Sequence, residues 1–269
     1  PALVADQKQI TLHAEKTDQK EYHAKFDEVM HHLHYGNSFL TNLTVRSRIE
    51  INTSLRALFF RVQAPYRCWM RDRFLFFSPE SFIKISGSKI FSYPMKGTID
   101  AGIPDAASVI LNDKKETAEH VTIVDLIRND LSRIADNVQV SRFRYLDEIK
   151  TNRSTILQVS SEIVGDVLPG YKNRIGSLLM ELLPAGSVSG APKDKTLQVI
   201  RAAEKEQRGY YTGIFGYFDG QNLDCGVNIR FIEQRGDLFY YRSGGGITAR
   251  SNWQAEYNEV MQKIYVPVN

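Results

Sequence analysis

Cysteine is scarce. Cys68 and Cys225 are the two in 269 residues, too few and too far apart for a disulfide framework or a thiolate metal site. They are expected to be reduced, half-buried thiols of a cytosolic protein. No apolar run approaches the roughly 20 residues that cross a bilayer, so no membrane span is expected. The polar stretch from Pro1 to Lys20 lacks a secretory apolar core, so export is not expected either. A strong charge of one sign is also missing: 34 Lys and Arg against 31 Asp and Glu leave +3. The aromatics are not interleaved with the basic residues, so nucleic acid is not an expected partner. There is no P-loop, G-x-G-x-x-G, His-Glu-x-x-His or Gly-x-Ser-x-Gly segment, which removes several common chemistries. The 42% apolar and 24% charged residues are those of an ordinary globular protein with an ample core.

Helical spacing of Tyr22, Phe26, Met30 and Leu33, stopped by Gly36, predicts a helix over 18–35. Ser38 to Ile51 alternates as a strand, and 54–62 reads as a short helix. Four strand-like runs at 68–70, 74–77, 82–86 and 89–93, with turns at Asp72-Arg73 and Gly87-Ser88, predict antiparallel hairpins. One long helix is expected over 105–134, then strands at 138–143 and 155–164, and helices at 174–183 and 193–206. Three strands between Tyr211 and Arg242 precede a last helix over 252–264. Helices followed by two or three short strands recur about four times. That pattern favours α+β with antiparallel sheets over a doubly wound parallel fold. No linker interrupts the chain, so 1–269 is expected to be a single domain.

Few residues announce chemistry by themselves. Glu116 with Glu119 and Glu256 with Glu259 are i, i+3 pairs, each on one helical face. Two such pairs can converge on a hard cation such as Mg²⁺, although spacing alone favours solvated surface charge. Gly244-Gly245-Gly246 lies between a strand and a helix and is either an anion-holding loop or a tight turn. Lys96, between Pro94 and Gly97 at a strand end, is either a desolvated amine of lowered pKa or an exposed turn lysine. His31 and His34 have no obvious companion ligand and read as helix surface. Asp125, Arg128 and Asp130 are either catalytic or an ion-pair network.

Taken together and in order, several segments resemble the chorismate-utilising enzymes. These are anthranilate synthase component I, aminodeoxychorismate synthase component I, and the isochorismate and salicylate synthases. The resemblance rests on Ser78-Pro79-Glu80-Ser81-Phe82, Pro94-Met95-Lys96-Gly97-Thr98, and Glu116-x-x-Glu119 running on to Asp125-Leu126-x-Arg128-Asn129-Asp130-Leu131. It continues through Gly186-Ser187-Val188-Ser189-Gly190-Ala191-Pro192-Lys193, Arg208-Gly209-x-Tyr211-x-Gly213 and Asn228-Ile229-Arg230. Gly244-Gly245-Gly246-Ile247 and Glu256-x-x-Glu259-x-x-x-Lys263 complete it.

The resemblance implies a four-layer α/β/β/α fold with orthogonally packed antiparallel sheets. It implies Mg²⁺ on Glu119 and Glu259, supported by Glu116 and Glu256. Thr98, Tyr211, Arg230 and Gly244 to Gly246 would hold the substrate, chorismate. Lys96 stands where anthranilate and isochorismate synthases carry Ala and aminodeoxychorismate synthases carry Lys. By that likeness Lys96 is a covalent nucleophile and Glu80 the acid and base. The product would be 4-amino-4-deoxychorismate, for p-aminobenzoate and folate synthesis. Anthranilate synthase component I and a non-catalytic subunit that binds an amidotransferase are the alternatives.

Three departures bear on this. Gln158 replaces the His that anthranilate synthases link to pyruvate elimination. Leu40 stands where isochorismate and salicylate synthases place a Lys base. Most of the family's N-terminal region is absent before Gly36, so feedback by tryptophan is not expected. Neither cysteine stands in a glutaminase elbow. Ammonia would come from a glutamine amidotransferase subunit or from solution.

Overall fold

A computed structural model of the protein describes residues 9–150 and 155–268. The chain opens with β1 (Leu12–Ala14), α1 (Gln19–His34), β2 (Leu40–Ile51) and α2 (Leu55–Arg61). Five strands follow: β3 (Tyr66–Met70), β4 (Phe74–Ser78), β5 (Ser81–Ser86), β6 (Lys89–Ser92) and β7 (Met95–Asp100). Then come α3 (Ala106–Asn112), α4 (Lys114–Leu131), β8 (Ala135–Lys150) and β9 (Thr155–Val167). The middle closes with α5 (Ile175–Leu182), β10 (Gly190–Ala191) and α6 (Lys193–Glu204). The last elements are β11 (Ile214–Phe218), β12 (Leu223–Val227), β13 (Phe231–Arg235), β14 (Leu238–Ile247) and α7 (Trp253–Gln262).

Most sequence-derived elements occur within a few residues of their expected bounds. The helix expected over 105–134 is instead two. Asp113 is extended at φ −67°, ψ 116°, and its Oδ1 accepts the Glu116 amide at 2.9 Å. A side chain that caps a new helix in this way competes with continuing the old one. The strands expected at 138–143 and 155–164 are longer, as β8 and β9, and residues 151–154 lie outside the described residues. Four strands, not three, span 214–247. The expected repeat of helix and strands is irregular, with five strands between α2 and α3 and one short strand between α5 and α6.

The strands form two antiparallel sheets. The first runs β1-β2-β14-β13-β4-β3, with β10 also on β2. The second runs β11-β12-β5-β6-β9-β7, with β8 also on β9. Helices α1, α6 and α7 cover the first through Tyr22, Phe26, Leu43, Val199, Ile247 and Tyr257. Helices α4 and α5 cover the second through Ile83, Val124, Leu131, Ile163 and Leu178. A further apolar cluster joins Phe74, Phe76 and Phe231 to Tyr211, with Ile229 beside it. Burying each such side chain contributes about 1.5–3 kcal/mol of transfer free energy. The fold is therefore the expected α+β arrangement of helices, sheet, sheet and helices. No described helix is long and apolar enough to cross a membrane.

The glycines 244–246 are not a loop before a helix. They continue β14, opposite Thr44, Leu43 and Asn42 of β2. A Cβ on Gly244 would stand 2.7 Å from Thr44 Cγ2 and 2.8 Å from the Leu43 carbonyl. Glycine here lets two strands close up, and the run is a cleft wall rather than a turn.

Candidate active site

Two neighbouring clefts share Glu80, Met95, Lys96, Arg230 and Lys263 in their walls. One encloses about 180 Å³ and reaches Tyr211 and Gly244 to Gly246. The other encloses about 680 Å³ and reaches Thr98, Glu116, Gln158 and Glu259. The motifs scattered over 180 residues of sequence thus meet in one place, because β7, α4, β14 and α7 all border it.

Lys96 lies on β7 and its Nζ stands 2.9 Å from Glu119 Oε2 on α4. Burial pushes the Lys96 pKa down. Glu119 beside it, with Glu259 and Glu116 farther off, outweighs burial and leaves it above the ordinary lysine value. Lys96 is therefore neither an exposed turn lysine nor a pre-lowered neutral amine. It is a paired ammonium.

Glu80 follows β4. Its amide donates to Ser78 Oγ at 3.1 Å, and its Oε1 accepts from Ser187 Oγ at 2.5 Å. Burial pushes its pKa up, more than the Ser187 hydroxyl, Lys263 and Arg230 pull it down. A carboxyl held above its usual range is suited to exchanging a proton.

The four other glutamates are not solvated surface pairs. Glu119 and Glu256 are 7% and 4% exposed, and Glu256 Oε1 accepts from Ser251 Oγ at 2.7 Å. Lys263 Nζ pairs with Glu259 Oε1 at 2.6 Å and donates to the Gly244 carbonyl at 2.9 Å. A Cβ on Gly245 would lie 3.5 Å from Glu256 Oε2 and 3.8 Å from Glu259 Oε1, so those two carboxylates meet over Gly245. Glu116 Oε2 would lie 2.9 Å from a Cβ on Gly97, and Gly97 has φ +86°. Among the described residues no three acidic, His or Cys groups gather as a ready-made metal cage. The donors are all hard oxygens, and two carboxylates already hold ammonium charge. That set fits Mg²⁺ in its usual form, held by one or two carboxylates with water and substrate oxygens completing the shell.

Tyr211 is buried against Phe231 with ring centroids 5.8 Å apart, and burial pushes its hydroxyl up to about 12. Arg230 has φ +54°. It donates to the Lys263 carbonyl at 3.0 Å and lies 4.8 Å from the centroid of the Tyr265 ring. Thr98 is exposed at the rim of the larger cleft.

Other candidates fall outside the clefts. His31 and His34 are exposed on the surface of α1. Asp125 and Arg128 form an exposed 2.7 Å pair, whereas Asp130 is buried on Lys193 at 2.7 Å. Cys68 is half-buried and Cys225 is buried.

Three residues gained partners that sequence reasoning did not assign. Ser187 and Lys263 were present in recognised segments, but spacing does not reveal the contact of Ser187 with Glu80, 107 residues away, or of Lys263 with the Gly244 carbonyl. His120, next to Glu119, is fully buried and its Nε2 is 2.7 Å from Ser161 Oγ. Burial first, then Arg144, lowers its pKa to about 4.

Similarity to known proteins agrees with this geometry. An uncharacterised PabA-like protein of Haemophilus influenzae is 53% identical over 247 residues, 92% of this chain and 75% of that protein. Aminodeoxychorismate synthase component 1 of Escherichia coli is 29% identical over 263 residues, 91% of this chain and 56% of that one. The crystal structure of anthranilate synthase component I from Streptococcus pneumoniae superposes with a TM-score of 0.80 at 26% identity. It matches 96% of this chain, which spans 59% of the length of that structure. The family model of the chorismate binding enzymes matches residues 2–269. With that match over the whole described fold, and with Glu80, Lys96, Glu116, Glu119, Glu259 and the glycine wall lining two adjoining clefts, the chain belongs to the chorismate binding enzymes.

Proposed function

We propose that the chain is one catalytic unit that aminates chorismate with ammonia to 4-amino-4-deoxychorismate, for p-aminobenzoate and folate synthesis. The observation that carries this is the place of Lys96, in the wall common to both clefts with Glu80. An alanine there, as in related anthranilate synthases, would leave no nucleophile.

In this mechanism Lys96 leaves Glu119 and gives up a proton to solvent, and its neutral Nζ bonds to ring carbon 2 of chorismate. Both ring double bonds shift by one position along the diene, the bond from carbon 4 to its hydroxyl breaks, and Glu80 gives its proton so that water departs. The second step reverses that shift: ammonia bonds to carbon 4, both double bonds return, and the bond to Lys96 breaks with its electron pair on Nζ. The new ammonium passes one proton back to Glu80. Glu80 ends protonated as it began, and the neutral Lys96 takes back from solvent the proton it first gave up, restoring its pair with Glu119. Dividing one difficult displacement into two is the advantage of covalent catalysis.

Gln158 fits a product that keeps its pyruvyl group. Its side-chain amide donates to the Gly97 carbonyl at 2.8 Å and offers no base at neutral pH. Mg²⁺ on Glu119 and Glu259, with Glu116 and Glu256 beside them, would offset the charge of the substrate carboxylate. Arg230, Tyr211, Thr98 and the Gly244 to Gly246 wall would orient the ring and its side chain. Ammonia would come from a partner glutamine amidotransferase or from solution.

The test is incubation with chorismate, ammonium and Mg²⁺, followed by product mass and fluorescence. Aminodeoxychorismate is expected. Fluorescent anthranilate as the main product overturns the assignment in favour of anthranilate synthase, and undetectable turnover favours a non-catalytic subunit.

A further inference from the structure

Consecutive residues of a regular strand point to opposite faces, yet Met95 and Lys96 both line the two clefts. The reason lies in the pairing of β7 with β9. Met95 is opposite Ser160 and Thr98 is opposite Gln158. Three steps along β7 therefore span two along β9, which is a bulge of one extra residue. Bulges of this kind re-aim side chains and leave a backbone group without its ladder partner.

The bulge spans Lys96 and Gly97. The carbonyl of Gly97 accepts from Gln158 Nε2 at 2.8 Å, so the side chain supplies a donor beside the broken ladder. On the other side of Gly97, Glu116 Oε2 leaves no room for a Cβ, at 2.9 Å. Gly97 of the bulge is thus held through its carbonyl, in the Gly97–Thr98 peptide, by Gln158, with Glu116 close against its Cα. Leu157 and Val159, on either side of Gln158, are buried, which anchors β9 and places Gln158 on the opposite, cleft-facing side.

We propose that Gln158 is a positioning residue for Lys96. Its amide holds the bulge in the shape that aims the Lys96 amine at Glu119 and into the shared cleft. Nothing about the amide is itself reactive, and its role is orientation of the neighbouring peptide. Only the kinetic half of the test below rests on the amination proposed above.

Three substitutions separate the possibilities. Gln158→Leu keeps the size and removes the donor. Gln158→Glu places a carboxylate against the Gly97 carbonyl. Gln158→His retains a ring N–H that can reach it. A crystal structure of Gln158→Leu is expected to show the bulge relaxed and Lys96 Nζ withdrawn from Glu119. In turnover with chorismate and ammonium, kcat should fall about a hundredfold for Gln158→Leu, the effect of displacing a reacting group by an ångström. The chorismate KM should change much less, because Tyr211, Arg230 and the Gly244 to Gly246 wall lie on other elements and only Thr98 shares β7. Gln158→Glu should be at least as impaired, and Gln158→His should recover most of kcat.

An unchanged bulge and Lys96–Glu119 contact in the Gln158→Leu crystal structure overturns the inference, whatever the turnover shows. So does a loss of kcat that Gln158→His does not restore. If the wild-type chain aminates nothing, the function fails on that result alone. The crystal structure still decides the role of Gln158, and a Gln158→Leu chain that does not fold leaves Gln158→Glu for the same comparison.

Discussion

Lys96 Nζ and Glu119 Oε2 are 2.9 Å apart, with Glu119 7% exposed, so the proposed nucleophile rests as half of a largely buried ion pair. Such a pair is a stable resting state but not a reactive one, because the amine must be neutral to attack. Removing one partner leaves the other charge uncompensated. Glu119 therefore sets both the position and the protonation of Lys96.

Lys96→Ala should abolish amination or slow it by several orders of magnitude, while binding of chorismate and Mg²⁺ persists. Mass spectrometry of the wild type mixed with chorismate, ammonia withheld, should reveal an adduct on Lys96. Normal turnover by Lys96→Ala would remove it as nucleophile.

Glu119→Ala and Glu259→Ala should raise the Mg²⁺ concentration needed for half-maximal turnover by about tenfold or more, since each removes one of few hard ligands. Mg²⁺ titration by calorimetry and by rate checks this. An unaltered requirement would place the cation elsewhere.

The hydroxyl of Ser187 donates to Glu80 and favours its ionised form. Ser187→Ala should therefore move the Glu80 pKa farther above its ordinary value. The acid then stays protonated to higher pH, and the base is ionised only at higher pH. Both limbs of the pH–kcat profile should shift upward, and a downward shift would contradict the role of Glu80.

Gly244→Ala should weaken the β14–β2 pairing, because the new methyl meets Thr44 and the Leu43 backbone below 3 Å. Overpacking of this kind costs about 1–3 kcal/mol. Denaturant unfolding should show a lower midpoint with an unchanged slope.

Arg242 is 1% exposed and donates to Glu233 Oε2 and Glu206 Oε1, both at 3.0 Å. Arg242→Ala should cost about 1–3 kcal/mol through the lost charge-assisted hydrogen bonds, since Glu233 keeps Arg235 and Glu206 keeps Arg46. Replacing all three residues with apolar side chains of similar volume should cost much less, by the same measurement.

Local signals carried most of the elements and the roster of site residues. Periodicity placed α1, because Tyr22, Phe26 and Leu33 all face the core. The ordered motifs led to Glu80, Lys96, Glu119 and Glu259, since each stands in a short, chemically distinctive segment. Local signals misled in two places, once because of a distant strand and once because of a capping bond only three residues long. Gly244 to Gly246 look like a turn in isolation and become a strand only because β2 runs alongside. Asp113 looks like one more charge within a helix and instead begins a new one.

Protonation and direction belong to the assembled fold. By its neighbours in sequence Lys96 is either an exposed turn lysine or a desolvated amine of lowered pKa; burial does push the pKa down, but Glu119 arrives from α4 and reverses the net effect. Nothing within 20 residues of Lys96 along the chain foretells that encounter. The same holds for Ser187 on Glu80 and for Gln158 on Gly97, separated by 107 and 61 residues. Residue identity sets which chemical groups this protein owns, because side-chain chemistry is local. Their charge states and aim arise from electrostatic and hydrogen-bond partners that meet only when the two sheets and their helices pack.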